Sequence, residues 1–143
     1  MDDGSEKFIP RGIRNNNPGN IKKNSVDWNG LVPEDEQTDN TFFIFESPKY
    51  GIRALSKILI TYRGYGLTNI YSIVNRYAPP IENNTESYKE FVSAKAGVGI
   101  LQNLENTIED YLPIVKAIIE MENGVQPYDE ETILEGMYLA WNQ

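Results

Sequence analysis

Apolar residues recur at helical spacing in five stretches of the chain. Because a helix has 3.6 residues per turn, apolar residues three and four positions apart share one face. This pattern predicts helices at residues 48–63, 68–78, 85–96, 110–122 and 129–141. In the last helix, the residues expected to face inward are Leu134, Met137, Tyr138 and Trp141.

Cap and breaker residues bound the predicted helices. Ser47 is a suitable N-cap before Pro48, since proline is favoured at the first helical position, and Thr68 and Thr85 are the expected caps of the next two helices. Pro79 stops the second helix. Because proline is tolerated only in a first helical turn, Pro113 predicts that the fourth helix begins near residue 110.

Two short segments favour strands. Residues 26–32 and 41–45 are rich in β-forming residues, above all the Thr-Phe-Phe-Ile-Phe run of the second segment. Their connection, residues 33–40, carries four acidic residues. We therefore predict a hairpin with an acidic tip, and a mainly α (α+β) fold of about five helices and this one small hairpin.

The chain has 143 residues, no cysteine and no histidine. This length favours one domain, at residues 10–143, after a flexible N-terminal tail at residues 1–9. Without cysteine or histidine, thiolate nucleophiles, imidazole bases and Ser-His-Asp triads are excluded. Carboxylates are then the leading candidates for acid–base chemistry, and no metal or organic cofactor is expected.

The net charge of −8 argues against nucleic acid as a ligand, because a phosphate backbone requires a surplus of Lys and Arg. No apolar run approaches the roughly 20 residues that span a membrane. The first residues also lack the apolar stretch of a signal peptide. We expect a protein that reaches other compartments through a virion, a partner or cell lysis.

Three glutamates are candidate catalytic residues, since general acid catalysis requires a protonated carboxyl beside the leaving group. Glu122 ends the predicted helix at residues 110–122, where the helix dipole disfavours an anion. Glu82 precedes a helix and Glu36 lies in the acidic connection, from which a side chain could reach across a cleft. The alternatives are a solvated helix end for Glu122, a helix cap or loop contact for Glu82, and a solvated turn for Glu36.

Several aromatic residues are candidates for stacking on a ring of the substrate. Trp28, Tyr88 and Tyr128 are the substrate-binding residues predicted from this set. The alternative is that each is a half-buried core residue whose polar end reaches water.

One string of residues resembles a known group of proteins. The sequence Arg-Gly-Ile-Arg-Asn-Asn-Asn-Pro-Gly-Asn-Ile at residues 11–21 is similar to the opening of phage and prophage virion proteins with lysozyme-like domains. The resemblance continues at residues 28–30, 42–45, 50–55, 77–80, 82–85, 88, 122–124 and 127–128. It implies a lysozyme-like fold, action on bacterial peptidoglycan, and sugar positioning by Asn17 and Asn20.

A weaker resemblance is to autolysin-type glucosaminidases, in which an Asn-Asn motif, a hairpin and a Phe-rich segment follow each other as they do here. In that family the catalytic glutamate ends a helix upstream of the Asn-Asn motif, and only a short tail precedes Arg11 here. Residues 117–127 resemble instead the Ala-x-x-x-x-Glu-Ser-Gly-x-x-Pro string of lytic transglycosylases, with Glu122-Asn123-Gly124 in the acidic position. A circular permutation would place Glu122 close to the asparagines, within about 10 Å, since a carboxylate must reach across one sugar.

The resulting hypothesis is a lytic transglycosylase or muramidase that cleaves peptidoglycan glycan strands. Its location would be the phage virion, or the host cytoplasm with delivery to the periplasm and cell wall. Its partners would be peptidoglycan and other virion proteins. Two alternatives stay open: a non-catalytic virion or peptidoglycan-binding module with the same fold, and an assembly protein whose acidic surface binds a basic partner.

Overall fold

Helices dominate the computed structural model, which describes residues 9–81 and 83–142. Within those residues the helices are α1 (Arg11–Arg14), α2 (Pro48–Gly64), α3 (Ile70–Tyr77), α4 (Thr85–Ala96), α5 (Ile108–Asn123) and α6 (Glu130–Trp141). The predicted mainly α class is therefore confirmed, and α1 is an additional short helix. Of the predicted N-terminal tail, residues 1–8 lie outside the described residues.

The N-caps of α3 and α4 each lie one residue from the predicted position. Asn69, rather than Thr68, caps α3, and Asn84, rather than Thr85, caps α4. Both asparagine side chains accept a hydrogen bond from a backbone N–H in the first helical turn. Thr85 instead donates its hydroxyl to the Ala78 carbonyl at 2.7 Å. The threonine thus ties the start of α4 to the end of α3.

The prediction that the fourth helix begins near residue 110 was wrong. α5 begins at Ile108, where the Thr107 hydroxyl accepts a hydrogen bond from the Asp110 N–H at 3.1 Å. Pro113 consequently lies in the second turn, where it supplies no N–H to the Glu109 carbonyl. The side-chain cap and the wholly buried apolar face that follows the proline stabilise the helix at this position.

The predicted hairpin is also wrong. In place of strands at residues 26–32 and 41–45, the structure has two isolated antiparallel bridges, Lys22 with Phe42 and Leu31 with Phe45. Between them lies a 3-10 turn at Glu34–Glu36. The two segments do run side by side, but their backbones bond to side chains more often than to each other.

The Gln37 side chain takes the place of a strand partner. Its Nε2 donates to the carbonyls of Val32 and Ile44, at 3.1 and 2.9 Å, and its Oε1 accepts from the Ile44 N–H at 2.9 Å. Asp39 similarly accepts from the backbone N–H groups of Thr41 and Phe42. These contacts satisfy backbone N–H and C=O groups that would otherwise pair between two strands. The segments therefore form no strand here, despite their β-forming composition.

The main apolar core lies between α2 and the helices that follow it. Ile52, Leu55 and Leu59 of α2 pack there with wholly buried residues of α3, α5 and α6. Gly136 of α6 lies against α2 so closely that a Cβ would be 2.7 Å from the Ile52 Cβ. The buried face of α6 is centred on that glycine and consists of Ile133, Gly136, Met137 and Ala140. The predicted inward position of Tyr138 was therefore wrong, since its side chain is half exposed.

A second, smaller apolar cluster lies on the opposite side of α2. It contains Ile21, Phe43, Phe45 and Ala54, with Trp28 among the residues packed against it. This cluster holds residues 15–24 beside α2 and so positions one wall of the site described below. None of the described helices is long and apolar enough to cross a membrane.

Candidate active site

An open cleft of about 370 Å³ lies between the asparagine turn (residues 15–20), α2, α3 and the end of α5. Its described lining is formed by Gly19, Asn20, Ile21, Lys22, Asn24, Phe42, Ile58, Tyr62, Tyr77, Asn83 and Glu122. Phe42 is the described residue of the 26–45 segment that reaches this cleft. Glu122 is the one carboxylate among these described lining residues.

Glu122 is held at both carboxyl oxygens. Oε1 accepts a hydrogen bond from the Asn20 Nδ2 at 2.9 Å, and Oε2 accepts one from the Tyr88 hydroxyl at 2.8 Å. The Asn20 Nδ2 also lies 3.4 Å from the Glu122 carbonyl oxygen. The predicted proximity of Glu122 to the asparagine turn is therefore confirmed by direct contact.

Burial raises the pKa of the Glu122 carboxyl above that of an ordinary glutamate, and the hydrogen bonds from Asn20 and Tyr88 lower it in part. The desolvation cost falls on the charged form, so this carboxyl stays protonated to a higher pH than an exposed glutamate does. A carboxyl that stays protonated closer to neutral pH is what general acid catalysis requires.

Two phenols lie beside this carboxyl. Tyr77 donates its hydroxyl to the Gly19 carbonyl, and Tyr88 donates to Glu122. Burial raises the pKa of both phenols well above the usual value, and the nearby Glu122 charge raises it further. Both tyrosines are therefore neutral hydrogen-bond donors throughout the physiological pH range.

Asn123 locks the asparagine turn onto the end of α5. Its Nδ2 donates to the Pro18 and Ile119 carbonyls, both at 2.8 Å. Gly12 of α1 lies against the same junction, where a Cβ would be 2.6 Å from the Asn123 Oδ1 and 2.7 Å from the Asn20 Oδ1. Only glycine allows this approach, so α1, the turn and α5 form one rigid support for Glu122.

Asn17 and Asn20, both predicted to bind sugar, occupy different environments. Asn17 is wholly buried, donates to the Ile21 and Phe43 carbonyls and accepts from the Ile21 N–H. This placement supports a role in fixing the turn. Asn20 adopts a left-handed backbone conformation with φ of 52°, which asparagine tolerates, and its side chain lines the cleft.

The remaining predicted site residues lie apart from the cleft or outside the described residues. Trp28 packs on the smaller apolar cluster, and Tyr128 packs on the main core, where burial raises its pKa to about 12. Glu36 is exposed on the 3-10 turn, outside the described cleft lining. Glu82 is outside the described residues, although its neighbour Asn83 lines the cleft.

Sequence reasoning missed Tyr77 and Asn123 as parts of the site. Tyr77 is at the end of α3, and nothing local in the sequence shows that its hydroxyl meets the Gly19 carbonyl, 58 positions away. The position of Asn123 in the sequence could have indicated its place in the site. It directly follows the candidate acid at the end of α5, where Gly124 is the C-cap with a φ of 77°.

Glu122→Gln should stabilise the fold relative to wild type increasingly as pH rises. The pKa of Glu122 is higher in the folded state than in the unfolded state, so the neutral carboxyl stabilises the fold fully at pH values below the unfolded-state pKa. This contribution to the unfolding free energy is lost as pH rises through the folded-state pKa. Glutamine does not titrate and avoids this loss. Urea unfolding of both proteins from pH 4 to pH 8 would measure the difference in unfolding free energy. A difference that is constant or shrinks with pH would show that Glu122 is not desolvated.

Comparison with known proteins relates the chain to a phage protein. No family model matches the chain. Protein P5 of Pseudoalteromonas phage PM2 is 45% identical to it over 130 residues, which cover 88% of this chain and 79% of the phage protein. Because the match is this extensive, the chain belongs to the same family as Protein P5 of Pseudoalteromonas phage PM2.

Proposed function

We propose that this protein cleaves the glycan strands of bacterial peptidoglycan as a lytic transglycosylase, with Glu122 as its general acid. The observation that carries the proposal is a partly buried carboxyl with a raised pKa, facing an open cleft at a helix end. The motif resemblance at residues 11–21 and 117–127 independently favours this class of enzyme. On this view the fold is lysozyme-like and circularly permuted.

The described part of the cleft supplies the one carboxyl group that a lytic transglycosylase needs. A hydrolase of the common type needs a second carboxylate as nucleophile or base. Among the described residues that line the cleft, Glu122 alone has a carboxylate. A lytic transglycosylase requires no second acid, because the substrate's own hydroxyl is the nucleophile.

The reaction can be written with Glu122 as both acid and base. The neutral carboxyl donates its proton to the glycosidic oxygen, the bond from that oxygen to C1 of the muramic acid breaks, and positive charge develops at C1. The C6 hydroxyl of the same sugar then attacks C1, and its proton passes to the Glu122 carboxylate. The product is a 1,6-anhydro sugar, and the carboxyl is restored in its starting state.

The hydrogen bonds around Glu122 suit this cycle. A carboxylate has about four lone-pair positions, so acceptance from Asn20 and Tyr88 leaves room for the substrate. Both donors stabilise the carboxylate that forms when the proton leaves, and neither needs to move. Asn20 and Tyr88 are thus positioning residues.

Purified Gram-negative sacculi should lose turbidity when incubated with this protein between pH 4 and pH 8. The rate should be highest on the acidic side, since Glu122 must be protonated to act as the acid. Turbidity and release of soluble muropeptides would be followed together. Folded protein that leaves sacculi intact at every pH would contradict catalysis.

A non-catalytic peptidoglycan-binding module is the second candidate, and one observation favours it. Both Glu122 oxygens already accept hydrogen bonds from groups on other elements, as in a purely structural tie between the asparagine turn, α4 and α5. Such a module would bind sacculi without changing their turbidity, and Glu122→Gln would leave that binding intact.

The family relationship with a phage protein supports a location in the virion. A virion would carry the protein to the cell wall, where peptidoglycan would be its substrate and neighbouring virion proteins its partners. Localisation could be tested by detecting the protein in purified particles.

A further inference from the structure

Arg76 of α3 is held between two tyrosine rings. Its guanidinium carbon lies 5.8 Å from the centroid of the Tyr62 ring and 5.7 Å from that of the Tyr65 ring. Both separations are within the range of cation–π attraction. The Arg76 side chain is exposed, so the rings restrain the guanidinium without covering it.

Two neighbours of Arg76 line the cleft. Tyr62 lines the cleft from α2, and Tyr77, the residue that follows Arg76, lines it from α3. Tyr65 is 68% exposed and extends the aromatic surface outward from there. A ligand that fills the cleft and continues past Tyr62 would therefore meet the guanidinium.

Arg76 has no ion-pair partner among the described residues, in a chain whose net charge is −8. The ion pairs among the described residues involve other cations, and none includes Arg76. Arg76 is exposed, is restrained by aromatic rings and has no carboxylate partner among the described residues. Its guanidinium can therefore bind a carboxylate of a ligand. The planar guanidinium has the fork geometry that binds a carboxylate through two hydrogen bonds.

We infer that Arg76 binds a carboxylate on the substituent of the muramic acid, so that the cleft selects carboxylate-bearing glycan over neutral glycan. This inference rests on the proposed function, because it takes the cleft to hold a peptidoglycan strand. Two groups carry such a carboxylate: the stem peptide, and the lactyl group when the peptide has been removed. Tyr62 and Tyr65 act by fixing the guanidinium plane before the ligand arrives, which lowers the entropy cost of binding.

The test measures binding in the Glu122→Gln background, where the ligand is not consumed. The ligands are a disaccharide tetrapeptide, the same disaccharide freed of its peptide by an amidase, and N,N′-diacetylchitobiose, which has no carboxylate. Arg76→Gln should weaken binding of a carboxylate-bearing ligand by about tenfold, as expected for a charged hydrogen bond, and leave chitobiose binding unchanged. Arg76→Lys should give an intermediate loss, because it keeps the charge without the fork.

Lys116→Gln is the matched control. Lys116 is an exposed cation on α5 whose ion pair is with Glu130, and it is outside the described lining of the cleft. Its substitution removes the same unit of charge and should leave all three affinities unchanged. If Lys116→Gln weakens binding as Arg76→Gln does, the effect is one of net charge and the inference is overturned.

The ligand that loses affinity identifies the source of the carboxylate. If Arg76→Gln lowers the affinity for the disaccharide tetrapeptide alone, the carboxylate belongs to the stem peptide. If it lowers the affinity for the peptide-free disaccharide alone, the carboxylate belongs to the lactyl group. If Arg76→Gln leaves the affinities for all three ligands unchanged, or weakens chitobiose binding equally, the inference is overturned. Arg76-dependent binding by a protein that never cleaves sacculi would instead refute only the proposed catalysis.

Discussion

Glu122→Gln should lower the rate of glycan cleavage by about 10²–10⁴-fold, because it removes the proton donor and general acid catalysis typically contributes that factor. The glutamine amide has nearly the same shape. Its oxygen can accept from Asn20 and its nitrogen can donate to Tyr88, so the support of the site is kept. Rates of muropeptide release, with circular dichroism as the check on folding, would measure the effect.

Glu120→Gln is the control for this substitution. Glu120 is two residues earlier on the same helix, forms an ion pair with Lys95 at 3.2 Å and is outside the described cleft lining. Its substitution should change activity by less than about twofold and the unfolding free energy by less than about 1 kcal/mol. Equal losses for the two substitutions would mean that the charge of α5, and not the carboxyl in the cleft, controls the rate.

Gly51→Ala should destabilise the fold by about 3 kcal/mol and lower Tm by about 10 °C, the largest stability effect that we expect. A Cβ at residue 51 would lie 2.0 Å from the Asn16 carbonyl oxygen and 2.9 Å from the Pro18 Cδ. The obstacle is backbone, and Asn16 is already in a left-handed conformation with φ of 52°. α2 would have to separate from the asparagine turn, so cleavage should fall as well.

Gly64→Ala provides the comparison on the same helix. A Cβ at residue 64 meets nothing within 4 Å among the described residues. Alanine there should stabilise the last turn of α2 by about 0.5 kcal/mol, since glycine loses more backbone entropy on folding. Thermal unfolding of the two variants would give shifts of opposite sign. A Gly51→Ala protein as stable as wild type would show that the turn does not pack on α2 in this way.

The helices could be predicted because their signals are local. Apolar spacing, Pro48 at a first turn, and Gly97 and Gly124 at left-handed C-caps all lie within or beside the element they define. The N-caps of α3 and α4 lie one residue from their predicted positions, because an asparagine and a threonine are adjacent at each helix start and either side chain can act as the cap. Choosing between them depends on tertiary contacts, such as the one from Thr85 to the Ala78 carbonyl.

The hairpin and most of the site depended on long-range contacts that local patterns do not encode. The three hydrogen bonds of Gln37 to backbone groups replace a strand pairing, and a glutamine in an acidic loop gives no sign of this. Asn20 and Glu122 meet across 102 positions of sequence. Their proximity was predicted from motif resemblance, while the contacts of Tyr77 and Asn123 follow from how α3 and α5 pack.

The most direct test of the central claim is the mass of the products that wild-type and Glu122→Gln proteins release from purified sacculi. Wild-type protein should release muropeptides that end in 1,6-anhydro-muramic acid, each one water lighter than the corresponding hydrolysis product. The Glu122→Gln protein should release at most about one hundredth as much in the same time. Equal release of the same products by both proteins, or none by folded wild-type protein, would contradict the claim that Glu122 is the catalytic acid.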